Sequence, residues 1–134
     1  YQDVKLKDGG WSTPRGGGDP YPNPATGKQV VKIPRNSFSL WTTYDYSPEL
    51  TLGGGVTYTG KRMASYSQNG DADAGLPSSW RTDLMAAYRL NEATALQLNI
   101  NNVFDRQIYT DSHSGQFANI EPGRNFVLTL KHAF

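Results

Sequence analysis

The chain has 134 residues, 37% of them hydrophobic, and a formal net charge of +1. It contains no cysteine, which excludes disulfides, thiolate catalysis and cysteine-bound metals. No run approaches the roughly 18 apolar residues of a membrane helix, and neither a basic run suited to nucleic acid nor an acidic tail is present.

A stub at 1–6 reads as the end of a strand, and the opening Tyr-Gln-Asp-Val carries no leader pattern, as expected for a piece of a longer chain. After a long loop at 7–35, the segment 36–46 alternates. Phe38, Leu40, Thr42, Tyr44 and Tyr46 fall on one face, and Ser37, Ser39, Trp41, Thr43 and Asp45 on the other. Residues 47–50 form a tight turn. The segment 51–63 follows, with Leu52, Gly54, Val56, Tyr58 and Gly60 opposite Thr51, Gly53, Gly55, Thr57 and Thr59. Mid-strand glycines weaken a strand, so these three in a row suggest a bend or close packing against a part of the protein lying on the sheet. No helix follows them to supply a phosphate site.

A second long loop, 64–79, leads to a strand at 80–90. There Leu84, Ala86, Tyr88 and Leu90 oppose Asp83, Met85, Ala87 and Arg89; a helix over 83–90 is the competing reading. The turn 91–93 is short. In the strand 94–104, Leu96, Leu98, Ile100 and Phe104 oppose Gln97, Asn99, Asn101 and Val103, with Asn102 breaking the alternation. A third long loop spans 105–123, and a last strand spans 124–134. Its Phe126, Leu128, Leu130 and Phe134 oppose Asn125, Val127, Thr129, Lys131 and Ala133.

Short turns at one end and long loops at the other match an outer-membrane β-barrel with periplasmic turns and extracellular loops. Heights in the strands agree. Tyr44, Tyr46, Tyr88 and Phe134 fall at the short-turn end of the apolar face, Phe38, Phe104 and Phe126 at the long-loop end, and aliphatic residues lie between. The expected fold is therefore all-β, a transmembrane antiparallel barrel segment of five or six strands. A soluble β-sandwich with one wet face accounts for the alternation equally well, though not for the loop asymmetry.

Three stretches go beyond pattern. Leu96-Gln-Leu-Asn-Ile-Asn-Asn-Val-Phe-Asp105, Glu121-Pro-Gly-Arg-Asn125 and a closing strand ending in Phe134 resemble the C-terminal signature of TonB-dependent outer-membrane siderophore receptors. Asn23-Pro-Ala-Thr-Gly-Lys28, the stretch 33–44 and Leu52-Gly-Gly-Gly-Val56 are similar to the siderophore branch of that family. The resemblance implies the last strands of a barrel of about 22 strands filled by a plug. It also implies a bacterial outer-membrane location and import of a ferric siderophore driven through TonB. The partners it implies are the N-terminal barrel and plug portion of the same receptor, the TonB complex, outer-membrane lipid and lipopolysaccharide, and the barrel assembly machinery, for which Phe134 resembles the signal. Neither the plug nor the TonB box is in this sequence. No cofactor is implied beyond the transported chelate, and no catalysis.

On that reading Asp45, Asp83, Arg89, Gln97, Asn99 and Asn101 face the lumen, where they bond the plug or simply meet water. Ligand contacts would come from the loops. The first is basic (Lys7, Arg15, Lys28, Lys32 and Arg35 against Asp8 and Asp19) and holds Trp11 and Tyr21. The second offers Arg62, Tyr66 and Arg81, and the third Arg106, Tyr109, His113 and Gln116. Cations and rings suit an anionic, aromatic ferric catecholate; contact with lipopolysaccharide or plain solvation suits the same residues. His132 falls on the lipid-facing parity near the periplasmic rim, with no metal partner in view. Asp71-Ala-Asp73 lacks the spacing and distal glutamate of a calcium loop. Asp111 with His113 is a chance pairing more often than a catalytic one, and Ser114-Gly115 is not a nucleophile elbow. A passive porin and an outer-membrane enzyme barrel remain the alternatives.

Overall fold

The alternation read from the sequence becomes rows of side chains in the computed structural model, which describes all residues except 2, 15, 24, 67–71, 115–116 and 134, and all of their side chains except those of 66, 72–74 and 113–114. Phe134, Arg15, Gln116 and Asp71 thus lie outside the described residues, as do the side chains of Tyr66, Asp73 and His113. The described residues form strands and no helix: β1 (Trp11–Ser12), β2 (Tyr21–Pro22), β3 (Ser37–Asp45), β4 (Leu50–Thr59), β5 (Arg62–Tyr66), β6 (Ala72–Leu76), β7 (Ser79–Asn91), β8 (Thr94–Asn101), β9 (Tyr109–Ser114), β10 (Phe117–Ile120) and β11 (Asn125–His132). The competing helix over 83–90 is thereby excluded, since those residues lie within β7.

The chain divides into two compact units. One comprises Phe38–Tyr58, Ser79–Ile108 and Glu121–Phe134, and its sheet has the order β11-β8-β7-β4-β3. The register fixes the rows. Phe126, Ile100 and Leu84 stand side by side, as do Leu128, Leu98 and Ala86, and Leu130, Leu96 and Tyr88. On the opposite face the rows are Val127, Asn99 and Met85; Thr129, Gln97 and Ala87; and Lys131, Ala95 and Arg89.

Among the described residues nothing is packed over the apolar face. Leu40 is 56% and Leu128 70% exposed, and among the described residues no side chain is fully buried. A sandwich would bury one such face in a closed apolar centre, so this arrangement favours the membrane reading. Tyr58 and Trp80, with ring centroids 4.7 Å apart, extend the aromatic set at the long-loop end of this face.

The other face explains the glycines. A Cβ at Gly53 would lie 3.1 Å from Trp41 Cζ2, and one at Gly55 would overlap Trp41 Cε3 and lie 2.7 Å from Leu40 O. The indole of Trp41 therefore lies across the bare backbone of β4, an aromatic covering of glycines from the neighbouring strand. The glycines admit a partner from within the sheet.

Two tight connections close the short-turn end. Ser47 Oγ accepts the N–H groups of Glu49 and Leu50 at 3.2 and 3.1 Å, and Asn91 Oδ1 accepts the N–H of Ala93 at 3.0 Å. These are side-chain-capped turns of the kind Ser and Asn favour. At the same end Thr94 Oγ1 and His132 Nδ1 lie 2.9 Å apart.

The other unit comprises Tyr1–Ser37, Thr59–Ser78 and Tyr109–Ile120, in three two-stranded pieces, β1-β2, β5-β6 and β9-β10. The stub at 1–6 pairs antiparallel with the stretch that leads towards β3: Lys5 bridges Gln29, the N–H of Leu6 bonds Lys28 O, and the N–H of Val30 bonds Val4 O. The strand expected at 51–63 ends at Thr59, although the N–H of Gly60 still bonds Asn36 O at 2.8 Å, and a Cβ at Gly60 would lie 2.7 Å from the same oxygen. The chain restarts as β5, so the loop expected at 64–79 is mostly a hairpin.

Candidate functional site

β8 ends sooner than the alternation suggests. Asn101 is its last residue, and Asn102 and Asp105 both take φ of 52°, a left-handed conformation that Asn and Asp tolerate better than most residues. Asn102 turns inward and is 2% exposed. Its Nδ2 donates to Arg106 O at 2.8 Å, its Oδ1 accepts the N–H of Arg106 at 3.0 Å, and its own N–H donates to Asp83 Oδ1 at 2.9 Å. A buried amide with both ends bonded is stable; one left unpaired would not be.

The second signature block meets the first here. Asp105 Oδ1 accepts the N–H of Arg124 at 2.7 Å, Arg124 Nη1 donates to Val103 O at 3.3 Å, and Asn101 Nδ2 donates to Asn125 Oδ1 at 2.8 Å. A Cβ at Gly123 would lie 2.6 Å from Asp105 Oδ1, so glycine is required for that approach. Two motifs some twenty positions apart are thus the two halves of one clasp joining the ends of β8 and β11. In the sequence the clasp showed as the two signature blocks and the break in alternation at Asn102, with nothing to join them.

Beside the clasp, Arg81 Nε pairs with Asp83 Oδ2 at 3.0 Å and Arg81 Nη1 with Glu121 Oε2 at 3.1 Å. A polar recess of about 340 Å³ is lined by Arg81, Asn101, Asn102, Glu121, Pro122 and Asn125. Arg81, placed among the loop contacts and in the strand 80–90 from the sequence, lies in β7 on the face of Asp83 with both its acidic partners in hand. Along the same face Gln97 Nε2 donates to Asn99 Oδ1 at 3.1 Å, while Arg89 is exposed. Asp45 Oδ1 accepts from Thr51 Oγ1 at 2.6 Å.

In the other unit, Arg62 Nη2 donates to Tyr109 O and Thr110 O at 2.6 and 2.7 Å. Arg62 and Tyr109, both read as ligand contacts, are thus joined to each other, and the guanidinium serves to hold β9. Lys32 Nζ lies 3.1 Å from Asp111 Oδ1, which places Asp111 in an ion pair. Trp11 is exposed and Tyr21 half-buried, on the paired strands β1 and β2. The Asn23-to-Lys28 stretch is a built turn: Asn23 Oδ1 accepts the N–H of Ala25 at 2.9 Å, Asn23 Nδ2 donates to Gly9 O at 3.1 Å, and Gly27 takes φ of 78°. Arg106 contributes its backbone to the clasp and exposes its side chain.

An antiparallel sheet with an uncovered apolar face, a polar opposite face and edge strands on both sides is a wall segment of a membrane β-barrel. Residues 2–103 match the family described as TonB dependent receptor-like, beta-barrel. A probable TonB-dependent receptor, BfrD of Bordetella pertussis, is 38% identical over 115 residues, covering 82% of this chain and 16% of that protein. The probable TonB-dependent siderophore receptor PiuA of Acinetobacter baumannii is 34% identical over 108 residues, 81% of this chain and 14% of its own length. The crystal structure of PiuA superposes with a TM-score of 0.78 at 32% identity, over 96% of this chain and 18% of that one. The closed form of the ferric-catecholate import receptor Fiu from Escherichia coli K12 gives 0.72 at 26% identity, over 84% of this chain and 16% of that one. The chain belongs to the TonB-dependent receptor β-barrel family, proteins of the bacterial outer membrane, and supplies a part of a larger barrel.

Proposed function

We propose that this chain forms wall and loops of a receptor that imports a ferric siderophore of the catecholate type across the outer membrane, driven through TonB, with the N-terminal barrel and plug portion of the same receptor filling its lumen. The observation that carries this reading is the division of the sheet into an exposed apolar face and a polar face, in a chain whose relatives are named as siderophore receptors. The catecholate preference is supported by the chemistry of the first loop. Trp11 and Tyr21 offer rings, and Lys7, Lys28 and Arg35 give it a basic balance, matching a chelate that is both aromatic and anionic. Transport is favoured over catalysis by the relatives, which are named as siderophore and import receptors.

Iron-limited growth of a strain lacking its own receptors, supplied with single ferric chelates, tests this. Growth on ferric catecholates that depends on the full-length protein and on TonB is the expected result. Growth on hydroxamate or pyoverdine-type chelates alone would replace the catecholate assignment. Uptake independent of TonB would mean a passive porin.

A further inference from the structure

The row nearest the short turns on the polar face is Lys131, Ala95 and Arg89, one residue from each of β11, β8 and β7. Side chains on strands two apart stand roughly 10 Å from each other. The residue between them contributes only a methyl group, so the two cations flank a notch. A recess of about 270 Å³ runs along it, with Glu92 and His132 among its lining residues at the turn side.

Among the described residues, neither the Arg89 nor the Lys131 side chain has a hydrogen-bond or ion-pair partner. This sets them apart on their face. Arg81 holds two carboxylates, and Gln97, Asn99, Asn101 and Asn125 bond one another in pairs. On the far side of Arg89, Asp45 is engaged by Thr51.

Two unpartnered cations in water cost little. The same cations covered by protein would be strongly disfavoured unless met by carboxylates. Lipid is not the covering, because these residues share the parity of Asn99 and Gln97 and oppose the row of Leu130, Leu96 and Tyr88. We propose that Arg89 and Lys131 form a carboxylate-binding notch on the lumen wall beside the short-turn end, which docks an acidic side chain of the lumen-filling part of the same receptor. This rests on the plugged-receptor reading above.

The experiment is zero-length cross-linking of the purified full-length receptor with a carbodiimide, which joins an amine to a carboxylate in direct contact. Peptide mass spectrometry then identifies the pair. The expected product links Lys131 to an Asp or Glu outside residues 1–134, is lost in Lys131→Gln, and falls in Arg89→Gln although Arg89 itself does not react. Heat-modifiable migration of both variants shows that the barrel is intact. Reversing the identified acid to Lys together with Lys131→Glu should restore the link in the opposite sense. Links from Lys131 only to Glu92 or Asp45, or none while other lysines react, would overturn the notch. A receptor that still imports its chelate in that case leaves the transport reading standing, whereas a lumen without a plug overturns both.

Discussion

The carboxylate of Asp105 holds the backbone N–H of Arg124 at 2.7 Å, and through it the turn after β8 is fastened to the first residues of β11. Hydrogen bonds to charged groups contribute about 1.5–3 kcal/mol. Asp105→Ala should therefore destabilise the full-length receptor by roughly that amount, and Asp105→Asn by less. Gly123→Ala should behave like Asp105→Ala, because its Cβ takes the place of Asp105 Oδ1. Urea-unfolding midpoints in lipid vesicles measure both. An unchanged midpoint for Gly123→Ala would mean that the clasp does not bear on stability.

Trp41 and Gly55 make a second test. A methyl at Gly55 meets the indole and the fixed oxygen of Leu40, whereas a methyl at Gly54 crowds Leu84 Cδ2, the end of a flexible side chain, at 3.1 Å and meets Asp83 O at an ordinary 3.8 Å. Overpacking of the first kind costs about 1–3 kcal/mol. The expected order of midpoints is wild type, Gly54→Ala, then Gly55→Ala. Trp41→Ala combined with Gly55→Ala should recover part of the Gly55→Ala loss. No recovery would show that Leu40 O, and not the indole, sets the limit.

The strands and their faces were legible because a buried or lipid-facing sheet side imposes a period of two on consecutive residues. That signal is local, and it placed Leu98 beside polar neighbours as correctly as it placed Leu84. It failed where one residue answers to a partner elsewhere in the chain. Asn102 ends β8 with its N–H on Asp83 Oδ1 and its side-chain amide on the backbone of Arg106. Asp83 is 19 positions away in sequence. The roles of the loop cations were hidden for the same reason: Arg62 bonds a carbonyl 47 positions away. A count of basic residues cannot separate a cation that binds a ligand from one that fastens a strand. Lys131 was read only as a member of an alternating face, and its unpartnered state beside Arg89 needed the register across β7, β8 and β11.

Arg62 gives a prediction on order in the loops. Its guanidinium is the shared anchor of Tyr109 O and Thr110 O, and removing it leaves β9 without two charge-assisted bonds. Arg62→Ala should speed proteolytic cutting within 109–114 by at least several-fold, since cleavage follows the population of the open form. Arg62→Lys, which reaches with one ammonium and lacks the fork, should fall between. Limited proteolysis of the folded receptor, with cut sites read by mass spectrometry, checks this. Equal cutting rates in Arg62→Ala and wild type would show that Arg62 does not hold β9.

The direction of the apolar face can be tested by charge alone. Leu98 sits mid-row between Leu128 and Ala86, and one residue along the same strand Gln97 sits between Thr129 and Ala87. If the first row meets hydrocarbon, Leu98→Arg costs about 2–4 kcal/mol near the bilayer midplane, while the same change on the other face meets water or a polar plug. Thr129→Arg is the matched control, because it adds the same side chain at the same height on the opposite parity and leaves the Gln97 to Asn99 bond intact. The expected result is a large fall in the amount of assembled, heat-modifiable receptor and in its urea midpoint for Leu98→Arg, with little change for Thr129→Arg. The reverse order would place the leucines against protein and the polar row against the outside. That would dismantle the assignment of the two faces on which the lumen notch also depends.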